Sequence, residues 1–188
     1  SEIEEVFIST NVTEIREGAF LKCQNLRKVE FSSDSKLRII GEQSFLSTSI
    51  NRIFIPQHVT KICKYAFHAC YQLENVEVSK NSELQIIEEK AFFLSSLANI
   101  SIPSSFLEFQ EGWCSGTELT KVTIIPHKEK NISCYEDNCI IGKSDIKSDQ
   151  YDVLLFVSRN IKEFTIPSFI KKIGTYAFAE SLIETIFI

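Results

Sequence analysis

The stretch Ile53–Val78, IFIPQHVTKICKYAFHACYQLENVEV, carries the pattern that the rest of the chain repeats. It opens on an alternating apolar run, Ile53-x-Ile55, turns at Pro56, and offers a second short apolar element around Val59 and Ile62. The pair Ala66-Phe67 follows, and Leu73-x-x-Val76-x-Val78 restarts the cycle. The same order closes the chain from Phe164 to Ile188, FTIPSFIKKIGTYAFAESLIETIFI. A period in the twenties marks a solenoid, whose single units cannot bury their apolar faces alone.

Outward from this unit, the middle anchors of the strand template are Val6, Val29, Ile53, Val76, Ile100, Val122, Phe164 and Ile186. They step by 23, 24, 23, 24, 22, 42 and 22 residues, so one step is anomalous. Short alternating runs of this kind are strands. Stacked once per coil, they predict one parallel sheet with rungs about 4.8 Å apart. A second anchor lies between the strands, at Ala19-Phe20, Ser44-Phe45, Ala66-Phe67, Ala91-Phe92, Trp113 and Ala177-Phe178. A small residue beside a ring predicts close backbone packing and a stacked aromatic column. Its intervals of 25, 22, 25 and 21 alternate long with short coils. The segment around each ring is too short for more than a turn or two of helix. An α or 3₁₀ turn is therefore expected on the convex side, which makes the fold class α/β.

These units resemble the BspA-like leucine-rich repeats, whose pattern is close to IPxxVTxIGxYAFxxCxxLxxIxI. Ile55-Pro56 through Val78 and Ile166-Pro167 through Ile188 match it nearly throughout, whereas the fifth unit, FQEGWC from Phe109 to Cys114, departs most. The resemblance implies a leucine-rich-repeat solenoid and a surface or secreted adhesion-type module. Its implied partner is a protein, either host matrix or another cell-surface protein.

The long step contains an insertion at about 126–160. Apolar runs at Cys139–Ile141 and Val153–Val157 flank a polar tip, Ser144–Gln150, which predicts a β-hairpin. The resemblance implies a similar Tyr…Asp-Asn-x-Ile-x-Gly-Lys insertion. The whole of 1–188 is expected to form one domain.

A chain that is 44% hydrophobic and 24% charged suits a folded domain rather than a disordered one. Its net charge of -5 gives no electrostatic footprint for nucleic acid or anionic lipid. No apolar run is long enough to span a membrane, so no membrane insertion is expected in this segment. The sequence contains no Met and opens and closes partway through a repeat, from which a piece of a longer protein is expected.

Six cysteines raise the question of disulfide or metal chemistry. Cys23 and Cys70 follow the anchor ring by three residues, in a slot shared with Thr48, Ser95, Gly116 and Ser181. They read as structural thiols, two rungs and about 10 Å apart, too far for a bridge. Cys134 and Cys139 could meet only through a turn at Glu136–Asn138. No spacing supports zinc, and no cofactor is expected. Cys63, His68 and Cys70 lack a third group to orient the His as a base, so catalysis is not expected. A carbohydrate-binding or hydrolytic site at the insertion, with Tyr135, Asp137 and Trp113, remains an alternative. Asn11, Asn99 and Asn131 lie in glycosylation sequons, and Asn131 is the favoured acceptor.

The non-apolar strand positions point away from the core and form a mixed ladder. Lys28, Glu30, Arg52, Phe54, Asn75 and Glu77 are the candidate partner-binding residues, with Arg52 and Phe54 as anchors because Arg and aromatic side chains dominate hot spots. The expected function is non-catalytic protein binding at the cell surface or outside the cell. An intracellular, cytoplasmic scaffold is the alternative, since unpaired thiols fit a reducing compartment.

Overall fold

The computed structural model describes residues 1–188. The front of the solenoid carries the strands Glu5–Ile8, Lys28–Phe31, Arg52–Ile55, Asn75–Val78, Asn99–Pro103 and Lys121–Ile125, followed by Glu163–Thr165 and Thr185–Phe187. Pairing is parallel and in register, with Val6 beside Val29 and Ile53 beside Val76. The two-residue side-chain period sends Ile53 and Ile55 into the core and leaves Arg52 and Phe54 exposed. A second parallel ladder stacks Glu14–Ile15, Ile39–Ile40, Lys61–Ile62, Ile86–Ile87 and Glu108–Phe109. Between the ladders, Phe20, Phe45, Phe67 and Phe92 form the expected column, with neighbouring rings 5.2–5.3 Å apart and nearly parallel.

The front is not one sheet. Strands 5–8 and 28–31 form a pair, those from 52–55 to 121–125 form a group of four, and 163–165 pairs with 185–187. Proline removes one bond at the first opening. At the end of the strand, Ser32 N–H donates to Ile8 O and Ser79 N–H to Ile55 O. Pro56 stands at the corresponding place against Phe31 and has no N–H to give. Pro103 has the same effect on Asn75–Val78, where pairing to the next rung stops at Val76. There the Val78 N–H is rescued by the Ser101 hydroxyl at 2.9 Å. In the coil of Pro56 the position of Ser101 is held by Phe54, which offers no acceptor.

The convex side contains no helix, which corrects the α/β assignment and the helical turns expected above. Each convex segment is a run of tight turns whose alternate N–H groups donate to the next coil. Phe20 donates to Ser44 O, Phe45 to Ala66 O, Phe67 to Ala91 O and Phe92 to Trp113 O, at 2.7–2.9 Å. A helix would spend the same groups on its own carbonyls. Two left-handed residues four apart prevent that in every coil, as at Gln43 and Ser47 (φ 52° and 55°) and Tyr65 and Ala69 (56° and 53°). The architecture is a β-solenoid of leucine-rich-repeat type.

The same ladder corrects the register of the fifth coil. Phe92 N–H meets Trp113 O, so Trp113 occupies the small-residue slot of Ala91 and Cys114 the ring slot. The small polar slot then falls on Thr117, not Gly116; its hydroxyl donates to Cys114 O as Thr48 does to Phe45 O and Ser95 to Phe92 O.

The expected hairpin is present as Cys139–Gly142 against Val153–Val157, antiparallel. Ile132–Tyr135 adds a third strand through a turn in which Glu136 and Asp137 have φ of 50° and 57°. Val153–Val157 also pairs in parallel with Lys172–Ile173, which joins the insertion to the next coil. The buried apolar residues fall into two clusters, one of 33 along the first coils and one of 6 around Leu154, Val157 and Phe164.

Candidate functional site

The first opening of the front sheet collects the candidate residues. An open depression of about 580 Å³ lies between the strands 28–31 and 52–55, lined by Lys28, Glu30, Arg52, Phe54 and Glu77 among others. Asn75 stands outside it, in the neighbouring depression at the second, partial opening, where its amide oxygen accepts from Asn99 Nδ2 at 2.9 Å. Five of the six residues are therefore brought together, and the sixth lies beside them.

Register fixes how they meet. Phe54 stands beside Glu77 and Arg52 beside Asn75. Lys28 Nζ pairs with Glu30 Oε1 at 2.9 Å. This hydrogen bond, followed by the charges of Glu30 and Glu5, raises the Lys28 pKa and keeps the amine cationic. Arg52 takes part in none of the ion pairs of the chain, so its guanidinium is free for an incoming group. The Phe54 side chain is 51% exposed and that of Phe7, on the same row of the face, 63%. A cation, an acid and a ring around one opening suit recognition of a protein surface.

The residues considered for chemistry do not converge. Trp113 is buried in the core, stacked 4.4 Å from Phe109, and so is withdrawn from the insertion turn that carries Tyr135 and Asp137. The Tyr135 ring packs edge-on against Phe169. All six cysteines are free, which answers the pairing of Cys134 with Cys139; the latter faces Tyr135 across the strand pair, not Cys134. Burial pushes the Cys139 and Cys114 thiols up to about 12 and those of Cys63 and Cys70 up to about 11. A thiol held neutral in this way is a poor nucleophile. Cys70 spends its thiol on Phe45 O and Thr48 Oγ1, while the His68 ring stacks on Phe93 with Nδ1 at 3.1 Å from its carbonyl. Of the sequon residues, Asn131 engages its amide with Ser105 O at 2.8 Å and Asn99 with Asn75, whereas Asn11 lies exposed with its oxygen toward Lys36 Nζ.

The strongest polar cluster was not singled out from the sequence. The Arg159 guanidinium is buried where the insertion returns to the solenoid. It donates to Thr117 O at 2.6 Å and Cys114 O at 2.9 Å, and pairs with Glu180 Oε2 at 2.8 Å. The Glu180 carboxylate also accepts the Gly116 N–H. In regular coils that N–H meets a backbone carbonyl, as Leu94 meets Ser115 O. The insertion supplies no convex turn at this level, and these two side chains take over the missing backbone's role. Nothing in the spacing of Arg159 marks it out in the sequence.

The family is decided by six copies of one repeat model, the BspA type leucine-rich repeat region, matched over residues 1–120, 34–147 and 136–188. The chain belongs to the BspA-type leucine-rich-repeat family. Among solved structures it is similar to the pneumococcal vaccine antigen PcpA, with a TM-score of 0.75, 19% identity, 98% of this chain covered and 50% of that one. A leucine-rich cell surface protein from Faecalibacterium prausnitzii A2-165 gives a TM-score of 0.63 and 21% identity over 99% of this chain and 61% of that one. A leucine-rich repeat protein from Eubacterium ventriosum gives 0.59 and 19% over 87% and 48%. The chain thus spans half to three fifths of these proteins, and at such identities the likeness is one of fold. No curated protein matches it. No helix is long and apolar enough to cross a membrane.

Proposed function

We propose that this chain is a non-catalytic protein-binding module of a cell-surface or secreted adhesion-type protein, and that the front face around Arg52 and Phe54 meets the partner. The observation that carries this reading is the opening beside Pro56, where a free guanidinium and a half-exposed ring border one depression. The solved structures that the chain resembles include a leucine-rich cell surface protein and a vaccine antigen, which supports an exposed location. The partner is another protein, host matrix or the surface of another cell.

Antibody labelling of intact source cells tests the location; signal only after permeabilisation sinks it. Binding of labelled matrix proteins to the isolated domain tests the face. Arg52→Ala and Phe54→Ala are each expected to weaken binding at least tenfold, a loss of about 1.4 kcal/mol or more. Glu163→Ala, further along the same face, serves as the comparison and should change affinity less than threefold. Equal effects at all three positions would move the contact away from the opening. One observation favours a second reading, an intracellular scaffold: all six thiols are free, five of them buried. The labelling experiment separates the two.

A further inference from the structure

The anomalous step leaves a rung out of the front sheet. From Val122 to Phe164 the chain advances 42 residues, nearly two ordinary steps, yet places no strand of the front sheet between Lys121–Ile125 and Glu163–Thr165. Lys121–Ile125 is consequently an edge strand. Its odd-numbered residues bond to the preceding coil, as Lys121 N–H does to Ala98 O. The N–H and C=O of Val122 and Ile124 point the other way and have no backbone partner. Ser158 and Arg159 close the start of this edge by hydrogen bonds, through Thr120 O and Leu119 O, and Ile132–Tyr135 packs against the same strand without pairing to it.

Alongside the open edge lies a depression of about 770 Å³, bordered by Lys121, Thr123 and Ile124 on one side and by Cys134, Asp137 and Asn160 on the other. An extended tetrapeptide, about 13 Å long, 4.8 Å across the sheet and about 10 Å deep with its side chains, fills roughly 600–650 Å³. The side chains beneath the edge are also unfinished. Ile100 and Ile102 in the preceding rung are 2% and 0% exposed, whereas Val122 and Ile124 are only half-buried.

We propose that this edge is a strand-addition site, taking an extended peptide segment of a partner protein as the missing rung. Unpaired backbone groups call for a main chain as the ligand, and two half-buried aliphatic residues call for apolar side chains at alternate positions of it. Lys121 and Asp137 at the rim set polar residues between them. The site is separate from the opening at Arg52 and does not depend on it.

The probe is a synthetic peptide with the sequence of residues 97–102, LANISI, which copies the neighbouring rung up to its proline. Saturation with it should slow hydrogen exchange of the Val122 and Ile124 amides at least tenfold in the intact chain. N-methylation at the peptide residues copied from Asn99 and Ser101 should weaken binding at least tenfold. Ile124→Pro removes an N–H that the existing ladder does not use; it should abolish peptide binding with the thermal midpoint preserved, while Ile124→Val retains binding. Unchanged exchange at millimolar peptide overturns the proposal, as does full binding by Ile124→Pro. A dimer in sedimentation that Ile124→Pro dissolves would replace the peptide with a second copy of the chain and overturn the assignment of the partner.

Discussion

The first five coils and the block after the insertion use one repeat yet reach different degrees of closure. In the former, four phenylalanine rings stack at 5.2–5.3 Å within a cluster of 33 buried residues. In the latter, six buried residues gather around Phe164, and Leu182, Ile173 and Ile186 remain exposed. The unit itself is equally good in both places, since Ile166–Ile188 matches the pattern as well as Ile55–Val78 does. What differs is the neighbour. A coil is stabilised by the coil on either side, and here the insertion stands in place of the preceding coil, pairing Val153 and Leu154 with Lys172 and Ile173.

The largest expected effect breaks this comparison if it fails. Phe67→Ala, at the centre of the column and fully buried, should lower stability by about 4 kcal/mol, while Phe164→Ala should cost about half as much. Chemical denaturation of the two variants measures both, and equal losses would show that the blocks are packed alike. Arg159→Ala comes next, at about 3 kcal/mol, because it strands two buried carbonyls and the Glu180 carboxylate together. Its signature is local: amides of 160–188 should exchange faster while those of the first coils do not.

Alkaline pH sharpens the contrast further. Cys70 and Cys114 have folded pKa values raised to about 11 and about 12, above that of a thiol in an unfolded chain, near 8.5. Their contribution is complete below that value and is lost as pH rises toward the folded pKa, because the unfolded chain ionises first. Each thiol should cost about 2 kcal/mol at pH 10, read as a fall in the denaturation midpoint between pH 8 and 10 that Cys114→Ala reduces. The smallest effect tests the left-handed turns. Gly18 has φ +62°, and a Cβ there would meet only ordinary contacts with Leu21 at 3.7–3.8 Å, so Gly18→Ala should lose about 1 kcal/mol through backbone strain alone.

The rungs, the ring column and the hairpin were legible in the sequence because each rests on periodicity, and periodicity survives in a one-dimensional record. The convex turns were not. Their hydrogen bonds go to the next coil, and the left-handed conformation sits on Lys, Gln, Ser, Tyr and Leu as well as Gly, so no residue type announces it. Trp113 looked like the ring of the fifth coil because it falls 21 residues after Phe92, close to the spacing of the other short coil; the backbone ladder alone reveals that Cys114 holds that place. The candidate face was readable residue by residue from strand alternation. That five of those residues border one depression depends on Pro56 and Phe54 acting together, which needs the register between two strands.

The alternation of long and short coils has a consequence for how such a chain changes length. Val29 and Val76 lie 47 positions apart, as do Ile53 and Ile100, and each interval contains one long and one short coil. Openings of the front sheet fall where a proline-led short coil follows a long one. The natural unit of duplication is therefore the pair. Loss or gain of a pair leaves the rhythm of closed and opened seams intact, whereas loss of a single coil sets two like coils against each other and shifts every later seam by one place.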